Sequence, residues 1–199
     1  MKIGILALQG DYEKHSEILD ELGLDTILIR YPNEIKDIDG LVIPGGESTT
    51  LTRLMRRMNF YNTIIEFAKE KPILGTCAGL ILMAIRTHHE LVKPLGLLDI
   101  EVDRNGYGRQ IHSFTEILPV QLNNHVEKIT ATFIRAPKIV KAGKNVEILA
   151  ESNGEICAVK QGKHIGLTFH PELNGVSIFH QLAFLSNSIS LHKKKQYAA

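Results

Sequence analysis

Apolar residues along this chain alternate between two spacings, and the alternation itself predicts the fold. Residues 2–8 form a nearly continuous apolar run, as a buried strand does, and end at Gln9-Gly10-Asp11. From 12 to 22 the spacing becomes helical, with Ile18, Leu19 and Leu22 on one face and Gly23 as the stop. Residues 25–30 read as a second strand closed by Tyr31-Pro32-Asn33, and residues 40–43 as a third after a polar stretch. That third strand stops at Pro44-Gly45-Gly46-Glu47-Ser48-Thr49-Thr50. There Ser48 or Thr49 is placed to cap a helix running through Leu51, Leu54, Met55 and Met58. A further helical stretch over 61–69 leads to Pro72 and an apolar run broken at Cys77. Strands alternating with helices predict an α/β fold, a three-layer, mostly parallel sheet with helices on both faces.

After Arg86 the texture changes. Thr87-His88-His89-Glu90 reads as a solvated loop rather than a metal site, because no further ligand-like residues lie near it. Residues 97–102 and 115–120 read as strands on either side of a Gly-rich polar loop over 103–110. Short strands follow at 130–134, 146–150, 155–159 and 163–169. Several of these are expected to be antiparallel, since the links between them are too short for crossover helices. A helix over about 176–190 closes the pattern. No linker or repeat divides the chain, so one domain over 1–199 is expected, with 191–199 as a flexible tail.

Composition narrows the function classes. The chain of 199 residues is 44% hydrophobic and 23% charged, with a formal net charge of +1, which leaves no bulk electrostatic case for nucleic acid or an anionic membrane. The longest apolar run, 72–85, is too short to span a bilayer, and the first residues lack the three regions of a signal peptide. Two cysteines, Cys77 and Cys157, make no disulfide framework, so a reducing, cytoplasmic setting is expected.

The stretch 72–82 carries the candidate chemistry. A strand-like run ends in Gly75-Thr76-Cys77-Ala78-Gly79, and helical spacing resumes after it. This is the strand–tight turn–helix pattern of a nucleophile elbow with Cys in place of Ser. A thiol ahead of a helix N-terminus meets unpaired N–H groups that favour thiolate, although a small buried hydrophobe is an equally good reading of the stretch alone. The last strand finishes at Phe169-His170-Pro171-Glu172. Residues i and i+2 on a strand project to one side, so Glu172 can orient His170, and His170 can serve as base to Cys77. Pro44-Gly45-Gly46 can aim backbone N–H groups into a pocket, and the Ala78 N–H directly follows the nucleophile. Gly46 and Ala78 are therefore the oxyanion-hole candidates, with an ordinary tight turn as the alternative for the glycines.

These residues resemble the triad-type (class I) glutamine amidotransferases. More narrowly, five segments look like the glutaminase subunits of pyridoxal phosphate synthases: Leu8-Gln9-Gly10, 44–50, 104–110, Phe133-Ile134-Arg135-Ala136-Pro137 and Phe169-His170-Pro171-Glu172-Leu173. They fall in the family's order across nearly the whole chain. The resemblance implies Cys77 as nucleophile, His170 as base and acid, and Glu172 as orienter. It implies L-glutamine contacts from Gly45, Gly46, Glu47, Arg104, Ile134 and Arg135, and an activation switch at Gln9 and Gly10. It also implies a hydrolase and, through its complex, a lyase. The substrate would be L-glutamine and the partner a synthase subunit that turns the ammonia into pyridoxal phosphate; no metal or organic cofactor would be needed. One departure from the family pattern is Asn174-Gly175, where Thr and a polar continuation are usual. The alternatives are a glutaminase feeding another synthase, a non-catalytic binding module and a thiol hydrolase acting on peptides or γ-glutamyl conjugates.

Overall fold

A computed structural model of the protein describes residues 1–104, 113–122 and 125–185. The first half contains β1 (Lys2–Leu6), α1 (Tyr12–Glu21), β2 (Asp25–Ile29), β3 (Gly40–Ile43), α2 (Ser48–Arg57), α3 (Phe60–Glu70), β4 (Ile73–Thr76) and α4 (Ala78–Met83). The second contains β5 (Ala84–Thr87), β6 (Leu98–Asp103), β7 (Phe114–Leu122), β8 (His125–Phe133), β9 (Lys138–Ala142), β10 (Glu147–Ser152), β11 (Glu155–Gln161), β12 (His164–Leu167) and α5 (Ile178–Phe184). The main sheet has seven strands in the order β10-β11-β12-β4-β3-β1-β2. Its β12, β4, β3, β1 and β2 run parallel, while β11 joins β10 and β12 antiparallel.

The central strands β3 and β4 are buried at every residue, which is why they read as unbroken apolar runs. One face of the sheet packs against α2, α3 and α4 through Leu51, Met55, Ile64 and Leu80. The other face packs α1, α5 and the β7–β8 hairpin through Leu19, Leu118, Phe133 and Phe179. On that second face Phe133, Phe169 and Phe179 form a tilted aromatic series with centroids 5.4 and 5.6 Å apart. Phe169 thereby anchors the chain just before His170.

Several expectations change. The Glu47 carboxylate, not Ser48 or Thr49, caps α2: it accepts from the Thr49 and Thr50 amides at 3.1 and 2.7 Å and from the Thr49 hydroxyl at 2.6 Å. The polar stretch before β3 contains a 3-10 helix, Pro32–Asp37, at whose start the Glu34 carboxylate accepts from the Arg30 and Tyr31 amides at 2.7 and 2.9 Å. The helix after Cys77 has only six residues, because the chain leaves it as β5 to pair with β6. Strands β5 and β9 have no counterpart in the sequence pattern, since each is short and finds its partner in β6 rather than in a local spacing. His170 and Glu172 do not lie on a strand. His170 precedes a second 3-10 helix, Pro171–Asn174, whose first residue is the proline. The expected tail and the end of the last helix fall at 186–199, outside the described residues.

Close approach of α4 to β3 depends on Gly79, where an added Cβ would overlap the Ile43 carbonyl oxygen. Gly79→Ala gains about 1 kcal/mol of helix propensity but forces two backbones apart. A net loss of about 1–3 kcal/mol in urea unfolding is expected.

Candidate active site

Cys77 sits between β4 and α4 with φ 48° and ψ −102°, a conformation that L-residues with side chains rarely adopt. The turn holds because the Cys77 amide donates to the Leu167 carbonyl at 2.8 Å and the Cys77 carbonyl accepts from the Ile81 amide at 3.2 Å. The strained turn pushes the side chain out beyond the strand end, as in the nucleophile elbow. The Cys77 Sγ lies 4.0 Å from the Ile134 carbonyl oxygen.

His170 arrives from the neighbouring strand. Its amide donates to the Thr132 carbonyl at 2.9 Å, which fixes the backbone against β8. Asn174, the departure from the family pattern, reinforces this by accepting from the Thr132 hydroxyl at 2.7 Å. The His170 Nδ1 lies 2.6 Å from Glu172 Oε1. An ionised carboxylate only accepts, so Nδ1 carries a proton and Nε2 is left for Cys77, which lines the same cleft. Burial pushes His170 down, but its hydrogen bonds to Cys77 and Glu172 and the charges behind them raise it to about 10. Burial likewise pushes Glu172 up, and the pull of His15, His170 and its own amide outweighs this and lowers it. His15 is itself fully buried and pushed toward the neutral ring, so its pull is that of a dipole rather than a full charge.

Cys77 and His170 open on a cleft of about 400 Å³ that also brings together Gly46, Glu47, Arg104, Ile134 and Arg135. The glutamine contacts implied by resemblance therefore converge, apart from Gly45, which is packed beneath. A side chain at Gly45 would run into the His170 ring. Gly46 has φ 143°, and Gln9 lies beside it. The Gln9 carboxamide, oriented to satisfy both groups, donates to the Glu47 carbonyl at 3.2 Å and accepts from the Glu47 amide at 3.1 Å. Gly10 packs against the Gly45 carbonyl. The two expected poles pair with one another: Arg104 Nη2 lies 2.7 Å from Glu47 Oε1. Burial pushes Glu47 up, yet the Thr49 and Thr50 hydrogen bonds lower it to about 2, so the pole stays ionised.

Comparison with known proteins places the chain. The SNO glutamine amidotransferase family model matches residues 5–189. The chain belongs to that family. It is 47% identical to the pyridoxal 5'-phosphate synthase subunit PdxT of Shouchella clausii over 91% of this chain and 92% of that protein. It is 44% identical to the PdxT of Thermotoga maritima over 87% and 92%. A crystal structure of a glutamine amidotransferase superposes with a TM-score of 0.83 at 35% identity, covering 91% of this chain and 98% of that one. The structure of PurLQS from Thermotoga maritima, with a TM-score of 0.67 at 16% identity over 91% of this chain and 96% of that one, shares the fold. The family is a glutamine amidotransferase family by name and its relatives are pyridoxal 5'-phosphate synthase subunits, so the lyase expectation is dropped. Among the described residues no helix is long and apolar enough to cross a membrane.

Sequence reasoning missed four residues of this SNO-family site. Ser48 lines the cleft with a buried hydroxyl that has no hydrogen-bond partner among the described residues. His89 Nε2 lies 3.4 Å from Arg104 Nη1, which places the loop after β5 against that arginine. His15 and His180 lie buried behind Glu172. The signal for His15 was present, since it precedes the apolar Leu19 by one helical turn.

The shifts fix the sign of a pH dependence. Raised His170 stabilises the fold fully below its ordinary value of 6.5, and the contribution is lost as pH rises toward about 10. Lowered Glu172 stabilises above 4.5, and its contribution is lost as pH falls through its folded value. The pair's joint contribution is therefore expected to be complete between pH 4.5 and 6.5, checked by urea unfolding across pH. In Cys77→Ala two of the raising influences vanish, and His170 is expected to titrate well below 10, read by NMR.

Proposed function

We propose that this chain is a glutaminase, one catalytic domain that hydrolyses L-glutamine to L-glutamate and ammonia and hands the ammonia to a pyridoxal 5'-phosphate synthase subunit in a hetero-oligomer. The observation that carries the reading is the His170–Glu172 hydrogen bond beside Cys77, opening on a cleft lined by the acidic Glu47 and the basic Arg104 and Arg135. The subunit names of relatives 44–47% identical over most of the chain support the partner and the pathway.

In this reading the Cys77 proton rests on His170, and the thiolate attacks the side-chain amide carbon of glutamine. The Gly46 and Ala78 N–H groups receive the developing oxyanion, a contribution of about 3–4 kcal/mol per donor. The imidazolium then gives its Nε2 proton to the departing nitrogen, ammonia leaves, and a γ-glutamyl thioester remains on Cys77. Neutral His170 next takes a proton from attacking water. Collapse of the second tetrahedral species expels the thiolate and releases glutamate, restoring the starting pair. Pyridoxal phosphate is a product of the partner here, and no metal or organic cofactor is used.

Glutamine carries an α-ammonium that suits Glu47 and an α-carboxylate that suits an arginine. Arg104 is already bound to Glu47 and His89, so substrate entry inserts charge between groups that otherwise satisfy each other. Gln9-Gly10 and Gly45-Gly46 touch one another beneath the cleft and form the candidate switch through which a partner sets the oxyanion donors.

Glutamate release from L-glutamine, by the purified chain alone and in the presence of a synthase partner, tests the reading. Strong stimulation is expected, and Cys77→Ala is expected to lose at least about 10³-fold in kcat. Hydrolysis indifferent to the synthase would reassign the partner; no hydrolysis with Cys77 shown to be reduced would overturn the glutaminase.

A further inference from the structure

Behind the Cys77–His170–Glu172 series lie two more imidazoles that the mechanism above does not use. His15 on α1 and His180 on α5 are both 0% exposed. His15 Nδ1 lies 2.9 Å from His180 Nε2, and His15 Nε2 lies 3.3 Å from the hydroxyl of Thr76, the residue before the nucleophile. The same His15 Nε2 is 3.5 Å from Glu172 Oε2. That oxygen is buried and has no hydrogen-bond partner among the described residues. An ionised carboxylate with one oxygen filled by His170 and the other bare is costly, and it draws the nearest N–H toward it.

We infer that His15, held by His180, is a positioning residue of the triad: its Nε2–H is directed at the free oxygen of Glu172, and His180 fixes that tautomer from behind. The chemistry around His15 Nε2 leads to this wiring. Around His15 Nε2 stand a carboxylate oxygen, which cannot donate, and a hydroxyl, which can accept; a bare Nε2 would set its lone pair against that of Glu172. With the proton on Nε2 of a neutral ring, Nδ1 is an acceptor and His180 must donate Nε2–H to it. Burial keeps both rings neutral, which this arrangement requires. At 3.5 Å the His15–Glu172 contact is long, and it shortens when the imidazolium of His170 fixes negative charge on the carboxylate. Glu172 is thus held from two sides, and through Thr76 the same ring touches the strand end that presents Cys77.

The opposite wiring is a definite alternative. His180 would turn its Nδ1–H toward the Val176 backbone, His15 would give Nδ1–H to His180, and a bare His15 Nε2 would face Glu172. The titratable groups facing Glu172 are His170 on its own segment and His15 on α1, with Cys77 beyond His170; His15 in turn faces His180 and, from the start of α1, Asp11. Because a donor to the charged carboxylate holds it ionised to lower pH, losing that donor moves the acid limb of kcat upward.

The kinetic consequence rests on the glutaminase reading, but the wiring does not. Nitrogen-15 NMR of the histidine-labelled wild-type chain is expected to show His15 protonated at Nε2 and His180 at Nε2; protonation of His15 at Nδ1 overturns the inference whatever the activity. His15→Phe fills the space without a donor and is expected to lower kcat roughly tenfold to a hundredfold, with KM unchanged and the acid limb raised. His15→Gln restores an N–H and is expected to recover most of that loss, which a packing role would not demand. An unchanged kcat and pH profile in His15→Phe would overturn the positioning role. An inactive wild type would instead count against the glutaminase, and the tautomers would still decide the wiring.

Discussion

Everything at this site depends on how β12 lies against β4. Their parallel register puts Leu167 opposite Thr76, and one step further the Cys77 amide donates to the Leu167 carbonyl at 2.8 Å. That single bond supports a backbone conformation the cysteine would not hold in isolation. It also ties Cys77, the proposed nucleophile, to the strand whose continuation carries His170 and Glu172. Cys77 and His170, the two halves of the proposed triad, are 93 residues apart in number yet become neighbours through one strand pairing. Open α/β sheets place ligands at the carboxyl ends of their strands, and here β1, β3, β4 and β12 all deliver residues of the candidate site to that edge.

The electrostatics of the site follow from burial combined with mutual satisfaction. Glu172 is nearly inaccessible, and an isolated carboxylate there would be strongly disfavoured. It remains ionised because the imidazoles of His15 and His170 face it. At the mouth of the cleft, Glu47 has a double task. It caps α2 with the Thr49 and Thr50 amides and pairs with Arg104. A pole that also caps a helix cannot swing away, so the charge pattern offered to a ligand is preset by secondary structure.

Several local choices serve both fold and site. Gly79 lets α4 approach β3, and Gly45 leaves room for the His170 ring. Pro171 starts a 3-10 helix, and the tight turn brings Glu172 onto the ring of His170. The contact between His170 and Glu172 was expected, but from strand alternation; the structure makes it by a helical turn. Asn174 and Gly175 close that turn, Asn174 by its hydrogen bond to Thr132 and Gly175 by its left-handed conformation.

The sequence by itself determined the α/β layering, the elbow at Cys77 and the residues that converge on the cleft. Those features are written in local spacing: apolar runs for buried strands, helical periodicity for α1 to α3, and short motifs around Cys77, Glu47 and His170. Only the tertiary structure decided the sheet order, strands β5 and β9, the pairing of Glu47 with Arg104, and the histidines behind Glu172. Strand order and edge pairing depend on partners far along the chain, which no local pattern encodes. Helical spacing can place His15 on the buried face of α1 but cannot say what it meets there. What makes His15 and His180 different is the carboxylate and the second ring they meet, and those meetings exist only once α1 and α5 have packed on the same face of the sheet.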